Sequence, residues 1–472
     1  MLLSGTGWTL SFLWPWEKRN NYFFGYNTDI IYMIPILAGS PLVYVCNGNI
    51  MRQLFSNEGR INMIKPHELT LKSIIGDSLA SSSGDIWRRH RRVLAPAFNP
   101  KVHQLVWDES SMLYDEMISA QGWADQKTVI VPNINDVIIK FSLLVIARCA
   151  FGLPGAWLDD TEAGGVVQGY NFTEALSTVT ESFILKLIFP RKLFMLPFKR
   201  LRHIDKCWTN VEATIRAIMS KATAEAEYAV NDQKTEPKAS VLKRLMASLH
   251  GQAREELSED EVVADMYTLL FAGHETVACA LYATLGYLAI YQDEQEKAFL
   301  EIQSELQKGR PLNVSNVDHL QACFFEAIRL RPPPFMLPRD MDQDMFINIS
   351  YPAPEIIILK KGVRIVCDLI GIFRNPHEYP EPATYRPSRW YGGASADTLL
   401  FGSGPRTCIG RNFAHNEAIS FLARFLRDWK VHATLQPGET LKQYEDWVMG
   451  IGYMHGTAFS VGSVALTLTR RQ

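Results

Sequence analysis

One stretch dictates how everything around it must pack. Ser258 followed by Glu261 fits a capping box, and acidic residues fill the first turn after it. From Val262 to about Tyr291 the chain then runs without a proline. Some 30 residues of helix reach about 45 Å, enough to cross a whole domain. The middle, Leu269 to Leu285, is apolar almost all round. A helix apolar on every side has to be buried, so this one predicts a core helix with other helices laid against it. Four residues then need a reason to be there: Gly273, His274, Glu275 and Thr276 put polar groups in apolar surroundings.

The rest of the chain agrees with a mainly α fold carrying small β sheets. Helical patterns dominate from Trp107 to about Lys308. Strand-like runs occur at Ile356–Leu359, Arg364–Ile372 and Ala458–Thr469, and Ile30–Cys46 reads as two strands around a proline turn. A length of 472 residues would suggest roughly three domains at about 150 residues each. No stretch reads as a linker: Asn231–Lys238 is a polar loop and Leu249–Glu256 a weak point within one unit. The expected organisation is an N-terminal segment, 1–29, and a single domain, 30–472. The uncharged run Met1–Trp16 would span about 24 Å, short of a bilayer core of about 30 Å, and it lacks the positive leader of a signal peptide. No transmembrane helix is predicted.

Charge and cysteine usage narrow the function. Lys and Arg number 48 against 50 Asp and Glu, so the near-neutral chain offers no global attraction to nucleic acid. The seven cysteines form no C-x-x-C pair, which argues against a disulfide scaffold or a structural zinc site and for a reducing compartment. One cysteine sits in a special setting. Phe401-Gly402-Ser403-Gly404-Pro405-Arg406-Thr407-Cys408-Ile409-Gly410 is an irregular Gly/Pro loop that can approach a flat ligand, just before a helix expected over Arg411–Trp429. A thiolate there is favoured by the helix dipole and by free N–H groups, and Arg406 supplies a cation beside it. Such a cysteine suits a metal.

This loop resembles the haem-binding signature of the cytochrome P450 superfamily. The resemblance implies that Cys408 is the axial thiolate of haem iron in haem b, pushing electron density toward the metal. Phe401, Arg406 and Gly410 then belong to the cofactor loop. It assigns Ala272-Gly273-His274-Glu275-Thr276 to the helix over the haem, with Glu275 and Thr276 as the catalytic acid–alcohol pair and Gly273 leaving room beside the Thr276 hydroxyl. Within Glu326-Ala327-Ile328-Arg329 the acid and base stand one turn apart among apolar neighbours. The resemblance joins Glu326 and Arg329 to Arg389 in a structural network. It places Trp87, Arg91, Arg339 and Arg406 at haem propionates, and leaves Arg88, Arg89 and Arg92 as a solvated face or a positive surface for a redox partner. The motifs run in family order from about 30 to 470. Phe373 stands where a His is usual, and Trp390 replaces a common Phe. The general look is similar to fungal members of secondary metabolism.

The resemblance therefore implies a triangular single-domain haem protein. Its activity would be a monooxygenase oxidising a lipophilic small molecule, a terpenoid-like product favoured, with dioxygen and NADPH-derived electrons from a separate NADPH–cytochrome P450 reductase. A reductase-independent isomerase or synthase and a non-enzymatic haem sensor are the alternatives, and the intact Glu275–Thr276 pair argues against both. The implied location is intracellular and cytosol-facing, with endoplasmic-reticulum membrane association. Phe183–Phe198, apolar but broken by Pro190 and Pro197, is expected to rest on a membrane surface without spanning it.

Overall fold

The computed structural model describes residues 14–19, 27–34, 41–66, 72–153, 157, 172–189, 191–194, 196–229, 240–392 and 399–471. The predicted loop Asn231–Lys238 and most of segment 1–29 lie outside these residues.

The central helix runs from Glu259 to Ile290, and its capping box is reciprocal: the Ser258 hydroxyl accepts from the Glu261 N–H while the Glu261 carboxylate accepts from Ser258. Several helices pack against it, among them Ile134–Phe151, Asp318–Leu330 and Arg411–Asp428. From Val262 to Ala289 every residue is buried except Ala272, Gly273 and Thr276. These three sit at i, i+1 and i+4, so they share one face, and that face alone escapes the packing. Among the described residues this is the one helix long and apolar enough to cross a membrane, and its apolar length is spent on the core.

Sheets lie at the flanks. Strands β1 (Ile30–Met33), β2 (Leu42–Val45), β3 (Met63–Ile64), β5 (Met336–Met341) and β8 (Arg364–Asp368) form a five-stranded sheet in the order β1-β2-β8-β5-β3. The expected pair of strands within 30–46 is antiparallel, Ile30 opposite Val45. Strands β4 (Thr128–Val131), β12 (Leu466–Arg470) and β9 (Trp429–Ala433) make a three-stranded sheet in that order, so the last strand lies between the chain entering helix Ile134–Phe151 and the chain leaving helix Arg411–Asp428. Hairpins β6 (Met345–Ile349)–β7 (Glu355–Leu359) and β10 (Tyr453–His455)–β11 (Ala458–Ser460) complete the set.

Two strand expectations need correction. The run Arg364–Ile372 stays extended only to Asp368, because the Asp368 carboxylate accepts the Gly371 N–H and starts a helix over Leu369–Phe373. The run Ala458–Thr469 divides into β11 and β12, which belong to different sheets.

Candidate active site

Cys408 is the exposed cysteine of the seven; the other six are buried. Its loop is built by glycine geometry. Gly402 and Gly404 have φ of 83° and 63°, and a Cβ on Gly404 would stand 1.9 Å from the Phe55 carbonyl oxygen. Only glycine lets the loop lie that close. The Cys408 N–H donates to the Phe401 carbonyl at 2.8 Å, which fixes the residue before the helix that starts at Arg411. The thiol has accessible surface, yet protein surrounds it, so it looks into an internal cleft. Burial pushes the thiol pKa up, while the Gly410 N–H and the charges of Arg91 and Arg411 pull it back toward the thiolate. The cation beside the thiol is therefore not Arg406, as expected from adjacency in sequence. The Arg406 guanidinium turns to the Ser82 carbonyl, 2.9 Å, and stacks on the Trp87 ring at 4.3 Å.

Ala272 and Thr276 of the central helix line a cavity of about 310 Å³, together with Phe183, Phe271, Pro333, Pro334 and Ala458. Thr276 faces it. Its hydroxyl donates to the Ala272 carbonyl at 2.7 Å, diverting an acceptor from the helix ladder. Gly273 serves packing rather than open space: a Cβ there would stand 2.8 Å from Ile146 of the neighbouring helix. Neighbouring helix residues point about 100° apart, and here that turn splits the acid–alcohol pair between the core and the cavity. Glu275 is fully buried behind the cavity. Its Oε2 accepts from the Thr457 hydroxyl at 2.8 Å and from the Thr457 N–H at 3.2 Å, while Oε1 is without a hydrogen-bond partner. Burial raises its pKa, with the Thr457 contacts opposing. Thr457 itself lines the cavity, so the acid reaches the cavity through that hydroxyl. The His274 Nδ1–H donates to the Leu270 carbonyl at 2.6 Å, and burial pushes its pKa down to about 4, so it is neutral.

Behind this wall lies a saturated ion cluster. Arg329 Nε and Nη2 donate to Glu326 at 2.8 Å each, and its remaining donors reach the carbonyls of Phe373, Pro382 and Thr384. Arg389 Nε donates to Glu326 at 2.9 Å. The expected Glu326–Arg329–Arg389 contact is present. Trp390 adds a member that the sequence reading missed: its indole N–H donates to Glu326 Oε2 at 2.9 Å. A Phe in that position could not.

Arg339 and Lys65 sit on the cavity wall with the opposite character. Arg339 donates to the adjacent Pro338 carbonyl at 2.6 Å and lies over the Phe55 ring; Lys65 donates to the Ala80 carbonyl. Burial lowers the Arg339 pKa to about 10. Burial, then the charges of Arg339 and Arg406, push Lys65 well below its usual value. Among the described residues no carboxylate forms an ion pair with Lys65, Arg91 or Arg339.

Comparison with known proteins decides what this cleft belongs to. The family profile described as Cytochrome P450 matches residues 16–452. The chain belongs to the cytochrome P450 family. A curated relative from Postia placenta, cytochrome P450 monooxygenase 124, is 27% identical over 91% of this chain and 83% of its own length. Leukotriene-B4 omega-hydroxylase 3 of Mus musculus is 25% identical over 80% and 73%. A zebra fish cytochrome P450 solved with progesterone superposes with a TM-score of 0.74 over 97% of this chain and 99% of that one, at 17% identity.

As a cytochrome P450, the chain is an oxidoreductase that incorporates one oxygen atom, and haem is its cofactor. The residues present fit that group. Haem brings one iron that takes a thiolate and two carboxylates that need cations. The cleft offers one accessible thiol with the Gly410 N–H and the charges of Arg91 and Arg411 beside it, and cations that form no ion pair with a carboxylate among the described residues. The basic run after Trp87 divides between this task and surface pairing. Arg91 acts on the thiol, whereas Arg88 pairs with Asp85 at 2.9 Å, Arg92 with Glu255 at 2.6 Å, and Arg89 with Glu261. The last three are thus neutralised pairs rather than an open positive patch.

Proposed function

We propose that this cytochrome P450 oxidises a lipophilic small molecule, a terpenoid-like natural product favoured, with electrons passed from NADPH by a separate reductase. The observation that carries the reading is the face of Ala272 and Thr276, left open on a helix otherwise packed almost throughout and set in a cavity lined mainly by apolar side chains. Such a lining binds apolar ligands by excluding water and orients them by its few polar groups. Haem, when bound, supplies oxygen activation. Cys408 would hold its iron. Arg91, Arg339 and Arg406, with Trp87 stacked on the last, would hold its carboxylates, and Phe401 and Gly410 shape the loop; Lys65 joins them.

Thr276 offers its hydroxyl to the cleft, and Glu275 is the buried proton holder, passing a proton outward through Thr457. Residues 30–472 act as one unit. Phe189, Leu193, Leu196 and Phe198 expose apolar surface while Phe194 of the same segment is buried and Phe183 lines the cavity. This two-sided pattern supports a segment that rests on a membrane surface of the endoplasmic reticulum, facing the cytosol, with its other side on the substrate cavity.

The test is haem-loaded protein with NADPH, a cytochrome P450 reductase and a panel of terpenoid, steroid and fatty acyl compounds. Substrate-dependent consumption of NADPH and oxygen, with one labelled oxygen atom in the product, is expected. Product formed without NADPH would replace this reading by a reductase-free isomerase. Oxygen binding without any turnover would favour a sensor.

A further inference from the structure

A second cluster of arginines, two buried and one half-buried, gathers on one indole and lines no part of the cavity described above. Trp16 is 4% exposed and packs with Phe335, Ile370 and Phe459, and its indole N–H donates to the Gly450 carbonyl at 3.2 Å. A Cβ on Gly452 would stand 2.4 Å from the same ring, so the backbone is shaped to receive it. Three guanidinium carbons surround this one indole: Arg19 at 3.9 Å, Arg331 at 4.0 Å and Arg374 at 4.9 Å from its centroid. Arg331 is 3% exposed and Arg374 9%.

Their hydrogen bonding is meagre. Arg19 Nη1 donates to the Trp16 carbonyl at 2.6 Å. Arg331 Nη1 donates to the Leu330 carbonyl at 3.1 Å and the side chain reaches the Tyr287 hydroxyl, but its Nε is buried without a partner. Among the described residues the Arg374 guanidinium makes no hydrogen bond, and no carboxylate forms an ion pair with any of the three. Glu445 is the carboxylate whose field reaches Arg331, and it is engaged by Lys442 at 3.1 Å and Tyr291 at 3.3 Å.

One indole face offsets only part of the desolvation of a cation, and like charges gathered on it, two of them buried, stay costly while unpaired. Burial lowers Arg331 to about 10 and Arg374 to about 9, which leaves both charged at neutral pH. The same chain shows what it does with a guanidinium meant only for packing: Arg329, a few residues away in sequence, has every side-chain donor matched.

We propose that Arg331, Arg374 and Arg19 form an oxyanion site for a phosphate group, with Trp16 as its floor. The forked donors of arginine match phosphate oxygens in pairs, which carbonyl partners cannot do. The phosphate can come from solution or from a phospholipid headgroup, and the chemistry of recognition is the same.

Haem-loaded protein is used so that the haem-facing arginines are occupied. Inorganic phosphate should raise the melting temperature saturably, and chloride at equal ionic strength should not. Arg374→Gln should weaken the phosphate effect at least about tenfold, Arg374→Lys should weaken it less, and exposed Arg254→Gln should leave it unchanged. The carbonyl spectrum of each variant checks that it is folded. In a second arm, vesicles of phosphatidylcholine with and without phosphatidic acid are spun down with the protein. Arg374-dependent sedimentation with phosphatidic acid, in a protein indifferent to free phosphate, assigns the site to a headgroup. Response to free phosphate alone assigns it to a soluble anion. No response in either arm, or equal responses in Arg374→Gln and wild type, overturns the proposal.

Discussion

Arg329 and Arg339 are two guanidiniums in different settings, the first fully buried and the second on the cavity wall. Arg329 is covered by Glu326 and three backbone carbonyls, and Arg389 and Trp390 complete the carboxylate. Arg339 holds a single neighbouring carbonyl, with Lys65 and Arg406 adding like charge nearby. The first arrangement pays its desolvation internally and needs nothing more. The second stays electrostatically incomplete until an anion arrives. Saturation therefore separates an ion cluster complete in itself from cations still open to an anion.

Four experiments break or sharpen that contrast, and the first has the largest effect. Cys408→Ala should abolish the red-shifted Soret band of the reduced carbonyl complex, because no other accessible thiol stands in the described cleft. A surviving band would refute the iron assignment. Next, Arg329→Ala leaves Glu326 in the core with only Arg389, Trp390 and a backbone N–H, at a cost of about 3–5 kcal/mol. Little haem-loaded protein should accumulate, and normal yield with normal haem content would show the cluster to be dispensable.

Arg339→Ala should do the reverse. It removes an enclosed cation with one weak partner, so the unliganded protein should keep or gain thermal stability. Haem affinity should fall roughly ten- to a hundredfold, the loss of one charge-assisted contact. Haem-transfer titration reads it, and an apoprotein destabilised as much as in Arg329→Ala would erase the distinction. The smallest structural effect is expected for Thr276→Ala. Its hydroxyl bonds only the Ala272 carbonyl, so spectrum and stability should hold. NADPH should still be consumed while product per NADPH drops several-fold and hydrogen peroxide appears. An unchanged ratio would move the proton route to Glu275 and Thr457 without Thr276, which Thr457→Val would then test.

Much of this was legible residue by residue. The capping box and unbroken apolarity announced the central helix, since local hydrogen bonding and burial both act on contiguous residues. The Gly/Pro loop announced Cys408, because close approach needs glycine wherever the loop ends up. Other readings failed for a shared reason. Arg406 precedes Cys408 by two residues yet turns to Trp87, while Arg91, more than 300 positions earlier, acts on the thiol. Gly273 looked like room for a ligand and is a contact with Ile146. Trp390 looked like a neutral departure and is a hydrogen-bond donor to Glu326.

What the sequence by itself determined is thus the set of elements and the chemistry held within one contiguous stretch: the core helix, the thiolate loop, the Glu326–Arg329 turn and the family they identify. Tertiary structure alone decided which cations face the thiol, that Glu275 reaches the cleft through Thr457, and that Trp16 gathers Arg19, Arg331 and Arg374. Helix caps and loop glycines act over a few residues, so sequence spacing encodes them. Electrostatic partners are chosen by distance in space across elements hundreds of residues apart, and spacing along the chain carries no record of that choice.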